Sequence, residues 1–282
     1  MTHKPNPWKL VNIPDVSRNK YVHPELEVQP NPKPDPEQIQ RSYILLPGTS
    51  TYGLGVQELQ DKGQGSNVHP LYKFSDGRQV LRPLTFKENI IARLEDYNTL
   101  QDTDHNPRDL TTRLQFWNIW LDSCTGIAYP SEFPTNNTKF KIIIHCPELI
   151  SIAPNFKESF LTCPYSSLPG VELDITKGKY NQLLTQPEIK EHKGWLTALE
   201  DDSKLLEDYV NTLFSIMQER SRDKNMPSKL MGFFLRANPT EDELRALFVY
   251  NLNNGSYADG YIYLYDNGSF LLVAPSQKIS TS

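Results

Sequence analysis

Apolar runs of strand length crowd the C-terminal end of the chain. Residues 229–275 contain KLMGFFLRAN, LRALFVYNL, SYADGYIYLY and FLLVAP, separated by polar or glycine-bearing breaks. Asn254-Gly255 and Asn267-Gly268 suit the positive φ angles of tight hairpin turns. Tyr257, Tyr261, Tyr263 and Tyr265, with Phe270, supply the large rings favoured on pleated surfaces. The pattern predicts an antiparallel meander, with Phe233, Leu235, Phe248 and Tyr250 turned to its core.

Upstream the period changes from two to that of a helix. Thr85 and Glu88 have the spacing of a capping box, and Ile90, Ile91, Leu94 and Tyr97 follow at helical intervals. A second helix is expected from Asn106-Pro107 to near Gly126, on a seam of Leu110, Leu114, Trp117 and Leu121. Lys139–Cys146 and Val171–Ile175 read as strands, and short helices are expected over 178–184 and 187–199. Ser203–Arg220 is strongly amphipathic. Acidic residues 200–202 sit at its positive end, and Arg220, Arg222 and Lys224 sit near its negative end.

Residues 1–50 break this order. They hold nine of the 22 prolines, including the alternating run Pro30-Asn-Pro-Lys-Pro-Asp-Pro36. Each proline fixes φ and removes an amide donor, so the segment reads as an extended, polyproline-like arm. Trp8, Ile13, Tyr21, Tyr43 and Leu45 punctuate it with side chains that need a surface, and they are the candidate partner-binding residues. The expected organisation is an arm over 1–50, a glycine-rich loop region over 51–84 and a single α+β globular domain over 85–282. The fold class is α+β: helices packed on an antiparallel C-terminal meander, preceded by the extended proline-rich arm.

Composition narrows the function classes. Hydrophobic residues make up 38% and charged residues 22% of the 282, enough for a real core. A net charge of −5 counts against nucleic acid as the primary ligand. No apolar run approaches the roughly 18 residues of a membrane span, and the N-terminus has no apolar signal-peptide core. Three cysteines, Cys124, Cys146 and Cys163, imply no disulfide framework. The expected location is the cytoplasm or a virion.

Candidate chemistry is sparse. Asp102-Thr-Asp-His-Asn106 starts like a calcium loop, but Pro107 stands where the turn needs glycine and Arg113 where a carboxylate closes the site. Gly48, Gly53 and Gly55 lack the Gly-Lys-Ser/Thr of a phosphate loop. Cys124, His145, Cys146 and Cys163 contain no C-x-x-C, and adjacent strand residues 145 and 146 point to opposite faces. Thr240 to Glu243 reads as a second capping box. Sequons at Asn136, Asn254 and Asn267 are read as coincidence, two of them being turns. No cofactor and no metal are expected.

The reading that follows is a non-enzymatic structural or assembly subunit that binds other protein subunits, homo- or hetero-oligomeric, through its N-terminal arm, as components of phage particles and similar machines do. Two alternatives compete with it. One is a hydrolase using Cys124 with His145 or a carboxylate pair. The other is a nucleic-acid-associated module using exposed rings and Lys139, Lys141, Lys157, Lys177 and Lys179.

Overall fold

Helices form where the sequence caps them. In the computed structural model, which describes residues 42–46, 51–101, 114–220, 228–252, 256–261, 263–265 and 268–274, Glu88 N–H donates to Thr85 Oγ1 and Thr85 N–H to the Glu88 carboxylate. This expected capping box opens the helix Phe86–Gln101. Asp202 Oδ1 accepts from Leu205 N at 3.0 Å and caps the long helix Ser203–Arg220.

Numbered along the chain, the helices are α1 (Tyr52–Lys62), α2 (Phe86–Gln101), α3 (Pro147–Ile150), α4 (Gln186–Lys190), α5 (Lys193–Ala198) and α6 (Ser203–Arg220). The early strands are β1 (Ser42–Leu46), β2 (Leu71–Lys73), β3 (Gln79–Leu81), β4 (Gly126–Tyr129), β5 (Lys139–Ile143), β6 (Leu161–Thr162), β7 (Val171–Asp174) and β8 (Leu183–Thr185). The late ones are β9 (Lys229–Phe234), β10 (Glu243–Ala246), β11 (Phe248–Val249), β12 (Ala258–Asp259) and β13 (Phe270–Ala274). The class is α+β, as expected.

The strands sort into a five-stranded sheet β6-β10-β4-β5-β7, a four-stranded sheet β11-β12-β9-β8, and the pairs β1-β13 and β2-β3. All pairings are antiparallel except β12 with β9. The late strands therefore exist, but they do not pair as a consecutive meander. β10 inserts between β6 and β4, β9 lies between β8 and β12, and β13 takes β1 as its partner. Runs as apolar as these are buried on both faces, so alternation cannot name their neighbours.

Three other expectations need correcting. Residues 114–125 are not helical, although Leu114, Trp117 and Leu121 are all buried. Their backbone bonds go to distant segments: Leu121 N to Val249 O, Asp122 N to Ser269 O and Cys124 N to Leu84 O. Apolar residues round the whole circumference signalled burial rather than helix. Of the residues 178–184 expected to form a short helix, Leu183 and Leu184 belong to strand β8. The 51–84 region is not a glycine-rich loop. It holds α1, capped by Thr51, and the hairpin β2–β3. Gly53 serves a close approach there, since a Cβ would meet Ala153 O at 2.3 Å.

One core lies among α2, α6 and β9, with Phe86, Trp117, Trp195, Tyr209 and Phe233 fully buried. Trp117 stacks on Tyr209 with centroids 5.0 Å apart. A second lies under α1, with Tyr52, Val56 and Leu59 against Leu149, Leu244 and Leu272. The 51–84 segment thus shares a core with residues from the rest of the body.

Candidate binding surface

From Ser256 to Tyr265 the described residues alternate strictly between inside and outside. Ser256, Ala258, Gly260 and Leu264 are buried, whereas Tyr257, Asp259, Tyr261 and Tyr263 are half-buried and Tyr265 is 41% exposed. The backbone is strand only at Ala258–Asp259 and turns at 264–265, and the four tyrosines occupy the less buried positions of this alternation.

Each inward residue is pinned. Ser256 Oγ receives Arg93 Nη1 at 2.9 Å. Ala258 sits in β12 opposite Phe233. Gly260 N–H donates to Phe234 O at 3.0 Å, and a Cβ there would fall 2.6 Å from Ile127 and from the Tyr129 hydroxyl. Leu264 N–H donates to Ser159 O, and its carbonyl accepts from Tyr52 N.

Two arginines underlie the outward rings. Arg245 is fully buried, forks Nε and Nη2 onto Glu243 Oε2 at 2.9 and 2.8 Å, and donates Nη1 to Tyr261 O at 2.8 Å. Its guanidinium lies 5.4 Å from the ring centroids of both Tyr263 and Phe160. Arg236 lies 5.5 Å from the Tyr261 ring. Tyr263 then stacks on Tyr265, centroids 5.0 Å apart and planes 2° from parallel. A stack that starts at a buried ion pair thus ends at an exposed ring, a cation–π arrangement that also fixes ring rotamers. Burial pushes the Asp259 carboxyl up to about 7, opposed by the Tyr261 N–H and by Arg245.

A second stack adjoins the row. Trp120 packs on Tyr250 at 4.8 Å, Tyr250 on Tyr257 at 5.5 Å, and Tyr257 against Phe234 at 5.0 Å. The segment 250–269 contains five tyrosines, four asparagines, three glycines and two serines. That composition matches antibody paratopes, where rigid amphipathic rings and adaptable polar residues make contacts at low entropic cost.

The residues singled out from sequence are placed as follows. Tyr43 and Leu45 lie in β1, paired with β13 of the same chain. The Tyr43 hydroxyl donates to Glu95 at 2.6 Å, and both side chains pack on the first core. The expectation that the arm lies outside the body therefore does not extend to 42–46, because a strand opposite β13 satisfies the segment's own amides. Trp8, Ile13 and Tyr21 lie outside the described residues, as do Asp102–Asn106, Asn254-Gly255 and Asn267.

Cys124 and His145 both stand near the Arg82–Glu88 ion pair, but the geometry builds no nucleophile. The Cys124 thiol donates to Pro83 O at 3.1 Å, and burial pushes it up to about 12. Burial, aided by Arg82, holds His145 down at about 4. Glu243, expected to close a capping box from Thr240, belongs instead to strand β10 and pairs with Arg245. Several lysines proposed for nucleic acid are engaged: Lys139 with Glu172, Lys179 with Glu188, and Lys141 with the carbonyls of Tyr165 and Leu168. Among the described residues no three His, Cys, Asp or Glu side chains gather as a metal set, and no helix is long and apolar enough to cross a membrane.

Sequence reading noticed the tyrosines as sheet formers and missed them as a surface. Their odd-numbered spacing from 257 to 265 carried that signal; the supporting arginines, 16 and 25 residues upstream of Tyr261, carried none.

No family model and no curated protein matches the sequence. Among solved structures the chain is similar to one described as the accommodation of massive sequence variation in Nanoarchaeota by the C-type lectin fold. The identity is 12%, the match covers 85% of this chain and 100% of that one, and the TM-score is 0.51. At that identity the likeness is one of fold alone.

Proposed function

We propose that this chain is a non-enzymatic binding subunit of a larger protein assembly, and that its outward tyrosine row is the surface by which it holds a protein neighbour. The observation that carries the reading is the alternation from Ser256 to Tyr265, which turns Tyr257, Tyr261, Tyr263 and Tyr265 outward while buried partners fix the backbone beneath them. Tyrosine is enriched at interface hot spots because it buries a large ring with few rotatable bonds. The solved neighbour supports it by analogy of fold alone, being described as accommodating massive sequence variation.

The test is the native mass of the purified chain and of its complexes from source lysate, with and without Tyr265→Ser and Tyr261→Ser. The expected result is an assembly weakened roughly tenfold or more, as for loss of an interface hot spot, with an unchanged melting transition. An assembly indifferent to both substitutions would remove the tyrosine row as its contact surface.

A further inference from the structure

We propose that the cleft between β5, β7 and α5 is a binding site for a small phosphate monoester, held by Lys177, Lys193 and the Tyr180 hydroxyl. The cleft encloses about 290 Å³ and is lined by Lys139, Glu172, Asp174, Lys177, Tyr180 and Lys193. Pockets for small molecules run from roughly 300 to 1,000 Å³ and are mostly apolar. This one is at the small end and charged, so it suits a compact polar ligand.

The satisfied and unsatisfied groups give the ligand its sign. Antiparallel pairing of β5 with β7 sets Lys139 opposite Asp174. Lys139 Nζ binds Glu172 at 2.8 Å, and the Tyr165 hydroxyl donates to the same carboxylate at 3.2 Å. Asp174 Oδ1 accepts from the Thr176 hydroxyl at 2.7 Å and from the Thr176 N–H at 3.0 Å. These partners hold both carboxyls below the usual carboxylate range, so neither lacks a counterpart. Lys177 stands near Asp174, but both Lys177 and Lys193 are exposed and neither forms an ion pair among the described residues. Three ammoniums against two carboxylates leave the lining one positive charge in surplus. What the cleft lacks is an anion. A phosphate monoester brings a charge of about −1.5 to −2 and three acceptor oxygens, enough for two ammoniums and a hydroxyl at once. A carboxylate offers two oxygens and a single charge.

Tyr180 is the built part of the floor. It is buried yet lines the cleft, and its hydroxyl bonds no described residue. Its ring is fixed on every side. A Cβ at Gly178 would fall 2.4 Å from its Cε2, and one at Gly194 would fall 3.0 Å from its Cε1. Phe140, His192 and Phe233 meet the ring in T-shaped contacts. Burial, with Asp174 nearby, pushes the hydroxyl up to about 12, so it keeps its proton at neutral pH and offers a donor. A donor already held in place loses little freedom on binding.

The test titrates phenyl phosphate into the full chain at fixed ionic strength, followed by amide chemical shifts, with inorganic phosphate and acetate as competitors. The variants are Lys193→Gln, Lys177→Gln, Tyr180→Phe, which keeps the ring and removes the hydroxyl, and Lys157→Gln, at an exposed lysine outside the cleft. Expected are one saturable site, displacement by inorganic phosphate but not by acetate at equal concentration, and about tenfold weaker binding in each cleft variant, as for one lost charged hydrogen bond. Lys157→Gln should bind as the wild type does. No saturable shift, or equal weakening by Lys157→Gln, overturns the site. Binding indifferent to Lys193→Gln does the same, because that exposed, unpaired side chain can be shortened without disturbing the fold. Binding that needs the lysines but not the Tyr180 hydroxyl overturns the role of the floor, and displacement by acetate as readily as by phosphate overturns the monoester as ligand.

Discussion

Arg93 shows how one side chain can organise several segments. Its guanidinium is buried and donates to Phe116 O, Ile119 O, the Tyr209 hydroxyl and Ser256 Oγ, all between 2.8 and 2.9 Å, while its backbone carbonyl accepts from Trp117 Nε1. Replacing it by methionine leaves these acceptors buried without their donor, at about 1–3 kcal/mol for each that finds no substitute. Arg93→Met should therefore lower the chemical denaturation midpoint by several kcal/mol equivalents, and a loss below about 1 kcal/mol would show that the network rearranges cheaply. His69 is a second such pin. Val273 N–H donates to its Nδ1, its Nε2 bonds Arg82 O, and burial holds it down at about 4. His145 and His192 are likewise held near 4 by burial. A histidine whose folded value lies below its unfolded one contributes stability at high pH and loses it as pH falls from about 6.5 to 4. Asp259 and Asp96, raised by burial to about 7 and 6, act with the opposite sign, their contribution being present at low pH and lost as pH rises through those values. His69→Gln isolates one histidine: its denaturation midpoint should depend less on pH between 6.5 and 4 than that of the wild type. An unchanged slope would count against the assignment.

At the level of elements, what was legible in the sequence was local. The Thr85–Glu88 box and the amphipathic run 203–220 gave α2 and α6 because the forces that start and orient a helix act over three or four residues. The strands at 229–234, 243–246 and 270–274 were legible as strands for the same reason. Their partners were not, since β13 pairs with a segment more than 200 residues away and β12 joins β9 in parallel. Of the stretch 257–265 only Ala258–Asp259 forms a strand and 264–265 form a turn, and its less buried face depends on Gly260 lying against Ile127 and Tyr129, contacts no local pattern encodes. Glycine also bears on α1, since a glycine-rich stretch predicts a loop whereas Gly53 sits buried in the helix Tyr52–Lys62. Gly53→Ala should destabilise by roughly 1–3 kcal/mol, because its Cβ meets backbone rather than a movable side chain. Gly65→Ala, at φ +85° with open space around it, isolates backbone strain from overpacking and should cost about 1 kcal/mol. Equal midpoints for Gly53→Ala and wild type would mean that α1 can shift away from Ala153.

For the whole molecule, the α+β architecture separates stability from contact. The two cores hold the aromatic residues that fix the fold, whereas the tyrosine row sits above them and ends in rings that few internal contacts require. Substitutions on the row should therefore divide in effect. Tyr265→Ser should leave the melting temperature within about a degree or two, while Glu243→Gln, which strips the buried Arg245 of its counter-charge, should cost roughly 3–5 kcal/mol. Comparable melting losses for the two would mean that the row is part of the core.

The β1–β13 pair has a consequence for the order in which the chain can finish folding during synthesis. Leu46 leaves the ribosome 224 residues before its partner Phe270, a wait of roughly 10–45 s at about 5–20 residues per second. Throughout that interval the inner edge of β1 and the apolar underside of α1 stand without the strand that covers them, and both pair-seeking amides and bare hydrocarbon invite the wrong neighbour. Nascent chains arrested before residue 270 should therefore be cleaved by protease near β1 and recruit hydrophobic-binding chaperones, and chains extended past residue 274 and clear of the exit tunnel should do neither. Among the described strands, the last made acts as the clasp that retires the first.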